Sequence, residues 1–380
     1  MAANDPFLVK TMFGLEPVLA QELEQLGAKD IVQQNRAVSF TGDTAMLYKA
    51  NLHLRTALRI LVPIGSFIAN NEEQLYKGIR EFNWLRHLGP DDTLAVDAAV
   101  HSREFTHSKY VALKTKDAIV DQIRDMKGTR PSVDIKSPTV RINIHIQENH
   151  CNVSLDSSGD SLHRRGYRLD MNPAPLNEVL AAGLVLLSGW DATTPFADPM
   201  CGSGTILTEA AMLAYNIAPG TLRAEFGFQR WRDYEPELWD TLFKEALLQV
   251  KEDGPEITGA DISGMALQKA GDNLKRAHLA REVALKKSSF EHFVPETDGG
   301  TVIINPPYGE RLKEEDIEGF YKMIGDQLKQ KFAGHTALIL SGNMEALKFI
   351  GLKPSRKIPL YNGSIECRFC RYDLYAGSRR

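Results

Sequence analysis

The spacing of apolar residues divides the chain into a first region of short, mixed elements and a second region of longer alternating elements. In the first region, residues 14–26 carry apolar side chains at the spacing of one helix face, and residues 140–146 alternate as a half-buried strand does. Between residues 27 and 91 the pattern predicts only a strand at 38–40 and a helix at 44–51. The first region is therefore typical of an α+β domain.

From about residue 176 onward, strands and helices alternate regularly. Strands are predicted at 195–198, 257–261 and 301–304, with helices such as 205–216 and 264–279 between them. This alternation predicts an α/β domain built on a doubly wound parallel sheet, Rossmann-like in class. The stretch LHRRGYRLDMNPAP between the two regions combines three arginines with two prolines, which indicates a basic hinge.

The first motif, FADPMCGSGT at residues 196–205, places a Gly-rich turn between a strand and a helix. Gly202 and Gly204 lack Cβ atoms where a ligand must lie against the backbone at the carboxyl ends of strands. A dinucleotide-binding fingerprint would need a third glycine at position 207, which is leucine, and an acid about twenty residues further on. The motif therefore indicates a cofactor loop and disfavours a nicotinamide oxidoreductase.

The second motif, ITGADIS at residues 257–263, ends the next strand in Asp261. A carboxylate at this position suits the two hydroxyls of a ribose. The alternative is that Asp261 caps the following helix, although Ser263 can supply that cap. We expect Asp261 to bind ribose.

The third motif, VIINPPYGER at residues 302–311, follows a buried apolar strand with Asn305, Pro306, Pro307 and Tyr308. Each proline fixes its own φ and disfavours helical backbone in the residue before it. The Asn305 side chain is thereby expected to be held in a rigid turn at the sheet edge. The alternative is a turn that contains two prolines and has no function.

In this order and spacing, DPMCGSGT, GADIS and NPPY resemble the class I S-adenosylmethionine-dependent N-methyltransferases. The stretches LHRRGYR and APLNEVLAAGLV, preceded by SPTVRINIHI and VSLDSSG, narrow the match. With them, the whole chain resembles the THUMP-containing bacterial RNA methyltransferases of the 23S ribosomal RNA guanine-N2 type. The resemblance implies a ferredoxin-like unit at 1–60, a THUMP RNA-binding domain at 61–160, a basic linker at 161–175 and a methyltransferase domain at 176–380.

The resemblance also implies a cofactor, S-adenosylmethionine, and a partner, RNA of the large ribosomal subunit, with no metal. The residues implied to bind the cofactor are Asp198, Cys201, Gly202, Ser203, Gly204, Asp261, Ile262, Ser289 and Phe290. The residues implied in catalysis are Asn305, Pro306, Pro307 and Tyr308. One position departs from the family, where an acid near the adenine is usual: this chain has Ser288.

On this assignment, Asn305 Oδ1 and the Pro306 carbonyl accept hydrogen bonds from the target amine, and Tyr308 stacks on the base. By resemblance the base is guanine, methylated at N2, whereas the motif alone fits adenine N6 or cytosine N4 equally. The alternatives are transfer RNA guanine-N2 or DNA amino methylation, or an RNA-binding protein with a vestigial methyltransferase fold.

The charge distribution indicates where RNA is expected to bind. The net charge of −4 and the pI of about 6.2 are not those of a typical nucleic-acid-binding domain. Residues 103–141, however, hold nine basic against five acidic side chains. Together with the linker arginines, this basic excess predicts phosphate contacts at Lys109, Lys114, Arg164, Arg165 and Arg168.

The remaining composition predicts a cytoplasmic protein. The longest apolar run is too short to span a membrane, the first residues lack the features of a secretory signal, and four cysteines are too few for a disulfide framework. Cys367 and Cys370 form a CxxC without a second ligand pair, and the alternation at 365, 367 and 369 predicts a buried strand face. We therefore expect this CxxC to be structural.

Overall fold

The computed structural model of the chain describes residues 4–168, 176–307 and 317–375. Within residues 4–168, eight strands form one mixed sheet in the order β2-β3-β1-β4-β8-β7-β5-β6. In chain order these strands are β1 Asp5–Lys10, β2 Lys29–Gln34, β3 Ala37–Gly42, β4 Arg59–Ile68, β5 Thr93–His101, β6 Ser132–Val133, β7 Val140–Gln147 and β8 His150–Asp156. The helices of this region are α1 Glu16–Gln25, α2 Thr44–His53, α3 Glu72–Arg80 and α4 Ser108–Lys127.

Strand β4 joins the two expected N-terminal units into one continuous sheet. It pairs antiparallel with β1 on one side and with β8 on the other, so the expected boundary between residues 60 and 61 falls inside a strand. The sequence pattern misses β4 because Pro63 and Gly65 interrupt it. The register shifts between these two residues, and a bulge of this kind is where a strand tolerates a proline.

The second sheet has seven strands within residues 176–307 and 317–375, in the order β11-β10-β9-β12-β13-β15-β14. Its strands are β9 Phe196–Asp198, β10 Ile257–Asp261, β11 Val283–Lys287, β12 Gly300–Ile304, β13 His335–Ser341, β14 Arg356–Asn362 and β15 Ile365–Asp373. The helices within these residues are α5 Glu178–Leu187, α6 Thr205–Ala214, α7 Pro236–Leu248, α8 Gly264–Arg276 and α9 Ile317–Lys331. Among the described residues, no helix is long and apolar enough to cross a bilayer.

The parallel part of this sheet is doubly wound around β9, as predicted. β10 pairs parallel with one side of β9 and β12 with the other, so the connections after these strands diverge at their carboxyl ends. Such a point of divergence is where open α/β sheets bind ligands. After the parallel part, β14 and β15 form an antiparallel hairpin, in which Asn362 pairs with Ile365.

The segment between α6 and β10 packs on the N-terminal sheet. Phe226, Phe228, Trp231 and Trp239 belong to the same buried cluster as the N-terminal strands. The Phe228 ring stacks on Tyr48 of α2, with ring centroids 4.3 Å apart. Although this segment lies in the sequence range predicted for the methyltransferase domain, its aromatic side chains complete the core of the first region.

The described part of the expected linker, residues 161–168, is anchored in the interior. Arg165 is only 2% exposed and its guanidinium contacts the buried carboxylate of Glu209 on α6, with Nε 3.3 Å from Oε1. The Tyr167 hydroxyl donates to the same oxygen at 3.1 Å. Arg165 also donates to the backbone carbonyl of Arg55 in the N-terminal region. The expectation that Arg165 contacts RNA is therefore wrong, because its charge is buried and paired.

The CxxC cysteines lie on β15, as expected for structural residues. Cys367 and Cys370 are both buried, and they belong to different core clusters. Side chains three residues apart on a strand point to opposite faces of a sheet. The two thiols therefore cannot form a redox pair in this fold.

We predict that Arg165→Met lowers the free energy of unfolding by about 3–5 kcal/mol, because it leaves the Glu209 carboxylate buried without its cation. Urea denaturation followed by circular dichroism measures this change. Arg164→Met is the matched control: its side chain is 58% exposed and pairs with Asp160 at the surface. Loss of that pair should cost about 0–1 kcal/mol. Equal effects of the two substitutions would contradict the structural role of Arg165.

Candidate active site

The three sequence motifs meet at the carboxyl edge of the parallel sheet. Asp198 ends β9, Asp261 ends β10 and Asn305 directly follows β12. Because β10 and β12 flank β9 on its two sides, the carboxyl ends of these three strands are neighbours at the point of divergence. The fold thereby assembles one site from residues that are spread over more than one hundred positions of the sequence.

Hydrogen bonds from backbone N–H groups attach the Gly-rich loop to β10. The Cys201 N–H donates to the Ala260 carbonyl at 2.9 Å, and the Gly202 N–H donates to Asp261 Oδ2 at 2.9 Å. Cys201 is buried, and Ser203 is held from the other side, because Asn273 Nδ2 of α8 donates to its carbonyl at 2.9 Å. The loop is therefore ordered by the protein itself.

Each glycine of the loop meets a different steric requirement. Gly204, at φ 75°, is the N-cap of α6, and a Cβ there would lie 3.0 Å from Ala270 Cβ on α8. Gly202 also has a left-handed backbone, at φ 54°, but a Cβ there would meet no atom within 4 Å among the described residues. Gly204 thus allows close helix packing, whereas Gly202 leaves open space in which a ligand can lie against the loop.

Asp261 has hydrogen-bonding capacity beyond its contacts with the loop. Its Oδ1 accepts the Ser263 N–H at 2.8 Å and its Oδ2 accepts the Gly202 N–H. The Ser263 side chain supplies the N-cap of α8, accepting the Ala266 N–H at 3.3 Å. Because a carboxylate offers about four acceptor positions, Asp261 can accept further donors. This geometry suits a ribose, and the assignment stays a prediction.

Asp198 is 1% exposed and accepts the Met200 N–H at 3.2 Å. Burial raises the pKa of this carboxyl to about 8, and the nearby Asp261 charge adds to the shift. Asp198 is therefore a buried group whose charged form is disfavoured. A cation bound next to it would favour ionisation.

An apolar surface lies next to Asp261. Ile262 is 72% exposed and Met265, in the first turn of α8, is 76% exposed. Large apolar side chains that are exposed in this way can contact the flat face of a ring. The sequence motifs indicate Ile262 but not Met265, whose only signal is an apolar residue two positions after the helix cap Ser263.

The end of β11 completes this part of the site. The Ser288 N–H donates to the Asp261 carbonyl at 3.2 Å, which brings the residues after β11 next to β10. The Ser289 hydroxyl is hydrogen-bonded to His292 Nδ1 at 2.8 Å. Phe290 is buried and stacks on Phe332, with ring centroids 5.7 Å apart. Contact of Ser289 and Phe290 with a cofactor stays a prediction.

Asn305 presents an acceptor that the described part of the chain leaves unused. Its Oδ1 is buried and has no hydrogen-bond partner among the described residues. Pro306 is buried and Pro307 half-buried, while Tyr308 lies outside the described residues. A buried oxygen without a partner costs about 1–3 kcal/mol, and a native protein retains such a group for a reason. A donor on a bound molecule would satisfy it.

The other residues expected to contact RNA differ in their accessibility. Lys109 on α4 is exposed, and Lys114 lies over the Tyr76 ring, with Nζ 5.2 Å from its centroid. Arg168 is largely buried, pairing with Glu178 at 3.1 Å and donating to the Leu176 carbonyl. The Arg168 guanidinium thus binds residues at the start of α5. The RNA contacts of Lys109 and Lys114 stay predictions.

Three family descriptions match successive parts of the chain. Residues 165–371 match the RMKL-like methyltransferase domain, residues 69–156 the THUMP domain and residues 6–61 the RlmL ferredoxin-like domain. The first match covers more than half of the chain. The chain belongs to the RMKL-like methyltransferase family. The predicted family and the predicted fold class are confirmed.

Relatives of this methyltransferase extend over its whole length. A Synechocystis protein named as a candidate RNA methyltransferase is 40% identical over 376 residues, which cover 98% of each chain. The ribosomal RNA large subunit methyltransferase K/L of Methylococcus capsulatus is 41% identical over 98% of this chain. The match covers 52% of that relative, so this chain spans about half the length of the K/L protein.

Solved structures show the same architecture. SMU.472, a candidate methyltransferase crystallised with SAH, aligns over 100% of both chains with a TM-score of 0.88 and 30% identity. A Listeria monocytogenes protein named as a predicted N6-adenine-specific DNA methylase aligns over 98% of this chain and 96% of its own, with a TM-score of 0.87 and 30% identity. TrmN of Thermus thermophilus, at 19% identity and a TM-score of 0.70, shows the fold alone.

We predict that Asp198→Asn stabilises this methyltransferase increasingly as the pH rises from 5 to about 8. With the pKa of Asp198 raised to about 8, the folded protein keeps a proton that the unfolded chain loses near pH 4. The free energy of unfolding of the parent protein therefore falls as the pH rises across this window. The neutral amide avoids this loss and can still accept the Met200 N–H. Denaturation at several pH values should show the difference growing by about 1 kcal/mol per pH unit. A difference that does not change with pH would contradict the shift.

Proposed function

We propose that this methyltransferase transfers a methyl group from S-adenosylmethionine to an exocyclic amino group of a base in RNA, with guanine N2 of large-subunit ribosomal RNA as its target. The observation that carries the proposal is Asn305 Oδ1, which is buried without a hydrogen-bond partner among the described residues, at the same sheet edge as the open side of Gly202. The first needs a donor such as an aromatic amine, and the second leaves room for a cofactor.

The cofactor is S-adenosylmethionine, as predicted for a chain of this methyltransferase family. SMU.472, which matches the whole chain, was solved with SAH. When bound, S-adenosylmethionine supplies a methyl group on a positively charged sulfur. The residues at the carboxyl edge fit the parts of this molecule: the open side of Gly202 suits the methionine portion, and Asp261 the ribose hydroxyls. The exposed side chains of Ile262 and Met265 suit the adenine face.

Asn305 acts on the nucleophile. The lone pair of an aromatic amine is delocalised into its ring, which makes the amine a poor nucleophile. An acceptor held beside the amine takes an N–H hydrogen bond and localises that lone pair toward the methyl group. Pro306 and Pro307 hold the backbone of the turn, so the acceptor is positioned before the substrate arrives. Preorganised acceptors of this kind lower the barrier without reorganisation during the reaction.

RNA is favoured as the substrate class by the first half of the chain. Residues 69–156 match the THUMP domain, and the full-length Synechocystis relative is named as a candidate RNA methyltransferase. The K/L relatives, named for large-subunit ribosomal RNA, support the finer target. DNA adenine is the second candidate, favoured by the name of the Listeria monocytogenes protein.

The reaction product distinguishes these candidates. We expect the full chain, incubated with radiolabelled S-adenosylmethionine and ribosomal RNA from a strain lacking the enzyme, to yield labelled N2-methylguanine after digestion to nucleosides. Duplex DNA of matched length should remain unlabelled. Label in N6-methyladenine from DNA would contradict the RNA proposal, and label in another ribosomal nucleoside would contradict the guanine assignment alone.

We predict that Asn305→Ala lowers the single-turnover rate of methyl transfer on the order of a hundredfold, as for the loss of one preorganised polar group. The affinities for cofactor and RNA should change much less, because the acceptor acts mainly in the transition state. Asn305→Asp should retain more activity than the alanine variant, since a carboxylate also accepts hydrogen bonds.

Asn343 provides the matched control for this prediction. It follows the adjacent strand β13, but its Oδ1 already accepts the Ala346 N–H at 2.9 Å. Asn343→Ala should lower thermal stability without lowering the single-turnover rate. If Asn305→Ala transfers methyl groups at the parent rate, or if both alanine variants lose activity in proportion to melting temperature, Asn305 has no catalytic role.

A further inference from the structure

A cleft of about 200 Å³ lies where three parts of the chain meet. Its walls come from residues 136–141 before and within β7, from residues 159–166 around the start of the anchored linker, and from residues 223–230 of the segment that packs on the first region. The linker wall leads directly to the buried Arg165, which contacts Glu209 on α6. Because α6 begins at the Gly-rich loop, the cleft is connected through packed groups to the candidate active site.

The cleft is strongly basic, in a chain whose net charge is −4. The basic side chains that line it are Lys136, Arg141, Arg164, Arg223 and Arg230, and the acidic ones are Asp160 and Glu225. The positive excess of three is shared among side chains from all three walls. Four of the five cations are arginines, whose planar guanidinium groups match the geometry of phosphate oxygens.

Arg223 is held rigidly at the floor of this cleft. Its two Nη atoms donate to the backbone carbonyls of Ser158, Asp160, Ser161 and Arg164, at 2.8–3.2 Å. Its guanidinium also lies over the Phe226 ring, 5.0 Å from the centroid. Burial lowers the pKa of Arg223 to about 10, which leaves it charged at neutral pH. Its charge is therefore fixed in position before any ligand binds.

Two guanidinium groups of the cleft have a donor without a partner. The Nε atoms of Arg141 and Arg223 are buried and have no hydrogen-bond partner among the described residues. Arg141 is only 9% exposed, and its other contacts are Asp97 at 3.2 Å and the Ile135 carbonyl at 2.7 Å. Buried donors without acceptors are costly. Two of them in one basic cleft indicate a ligand that carries acceptors and negative charge.

The rim of the cleft is also positioned in advance. Arg230 pairs with Glu225 and donates to the Pro138 carbonyl at 3.1 Å, which joins the segment between α6 and β10 to the residues before β7. Lys136 is exposed next to it, and Arg164 is 58% exposed on the linker wall. Arg141 and Arg223 therefore form the floor of the cleft. The more exposed side chains of Lys136 and Arg164 can contact an anion that is bound there.

We propose that this cleft binds the sugar–phosphate backbone of the RNA substrate and fixes the position of the RNA relative to the active site. The inference rests on the proposed function, which supplies RNA as the polyanion. Phosphate contacts position a nucleic acid without reading its sequence. Because residues from both halves of the chain form the cleft, a phosphate held there fixes the substrate relative to the site that contains Asn305.

The test uses the double variant Lys136→Ala/Arg164→Ala in the full chain, since both side chains are exposed and contribute little to the fold. RNA affinity is measured by fluorescence anisotropy between 50 and 300 mM salt. We expect affinity to fall roughly tenfold at about 100 mM salt, and the slope of log affinity against log salt to become shallower by about 1–2. Melting temperature and cofactor affinity serve as checks that the variant is folded.

The matched control is Arg281→Ala/Lys353→Ala, which removes the same charge from two exposed positions. Arg281 precedes β11 and Lys353 precedes β14, the two edge strands of the second sheet. The control should bind RNA as the parent does, with the same salt slope. If both double variants lose equal affinity, net charge explains the loss and the cleft proposal is overturned.

Two further outcomes separate this inference from the proposed function. If the parent methylates RNA and the cleft variant binds RNA with parent affinity and slope, the cleft proposal is wrong while the function stands. If the parent transfers no methyl group to RNA, the proposed function is wrong, whatever the variant does. Inorganic pyrophosphate is the last probe. If the parent binds pyrophosphate, and the cleft variant no longer does so but keeps its affinity for RNA, the cleft is a small-anion site and the RNA proposal is overturned.

Discussion

The position of β9 between β10 and β12 is the constraint on which the candidate active site depends. The chain leaves β9 toward one side of the sheet and returns on its other side, so the loops at the carboxyl edge diverge and leave a crevice. The hydrogen bond from Gly202 to Asp261 then ties the first loop to the second strand. With this arrangement, Asp198, Asp261 and Asn305 face one site although the sequence separates them.

The second constraint is the union of the two halves through buried contacts. Arg165, Tyr167 and Glu209 place charged and polar groups in the interior between the N-terminal region and α6. Aromatic side chains from the segment after α6, such as Phe228 against Tyr48, join the N-terminal core. Because buried charges are tolerated only when paired, these contacts specify one relative arrangement of the two halves. The basic cleft exists only in that arrangement.

Much of the fold and of the candidate site can be predicted from the sequence, because the signals are local. Strand β10 is predicted at its observed bounds, and the helices after the Gly-rich loop and after Asp261 begin where their caps lie. Strand β4 is missed because Pro63 and Gly65 break its alternation, and only the bulge in the assembled sheet accommodates them. Asn273 is missed because its contact with Ser203 joins α8 to a loop about seventy residues away.

The sequence by itself determined the class of the protein, since apolar periodicity and the short motifs around Gly202, Asp261 and Asn305 depend only on neighbouring residues. Tertiary structure decided which charges are available for binding. Arg164 and Arg165 are adjacent and chemically identical in the sequence, yet one is exposed beside the cleft and the other is buried against Glu209. Burial and pairing are set by segments distant along the chain, so the solvation of a charge, and hence its function, becomes defined only when those segments pack together.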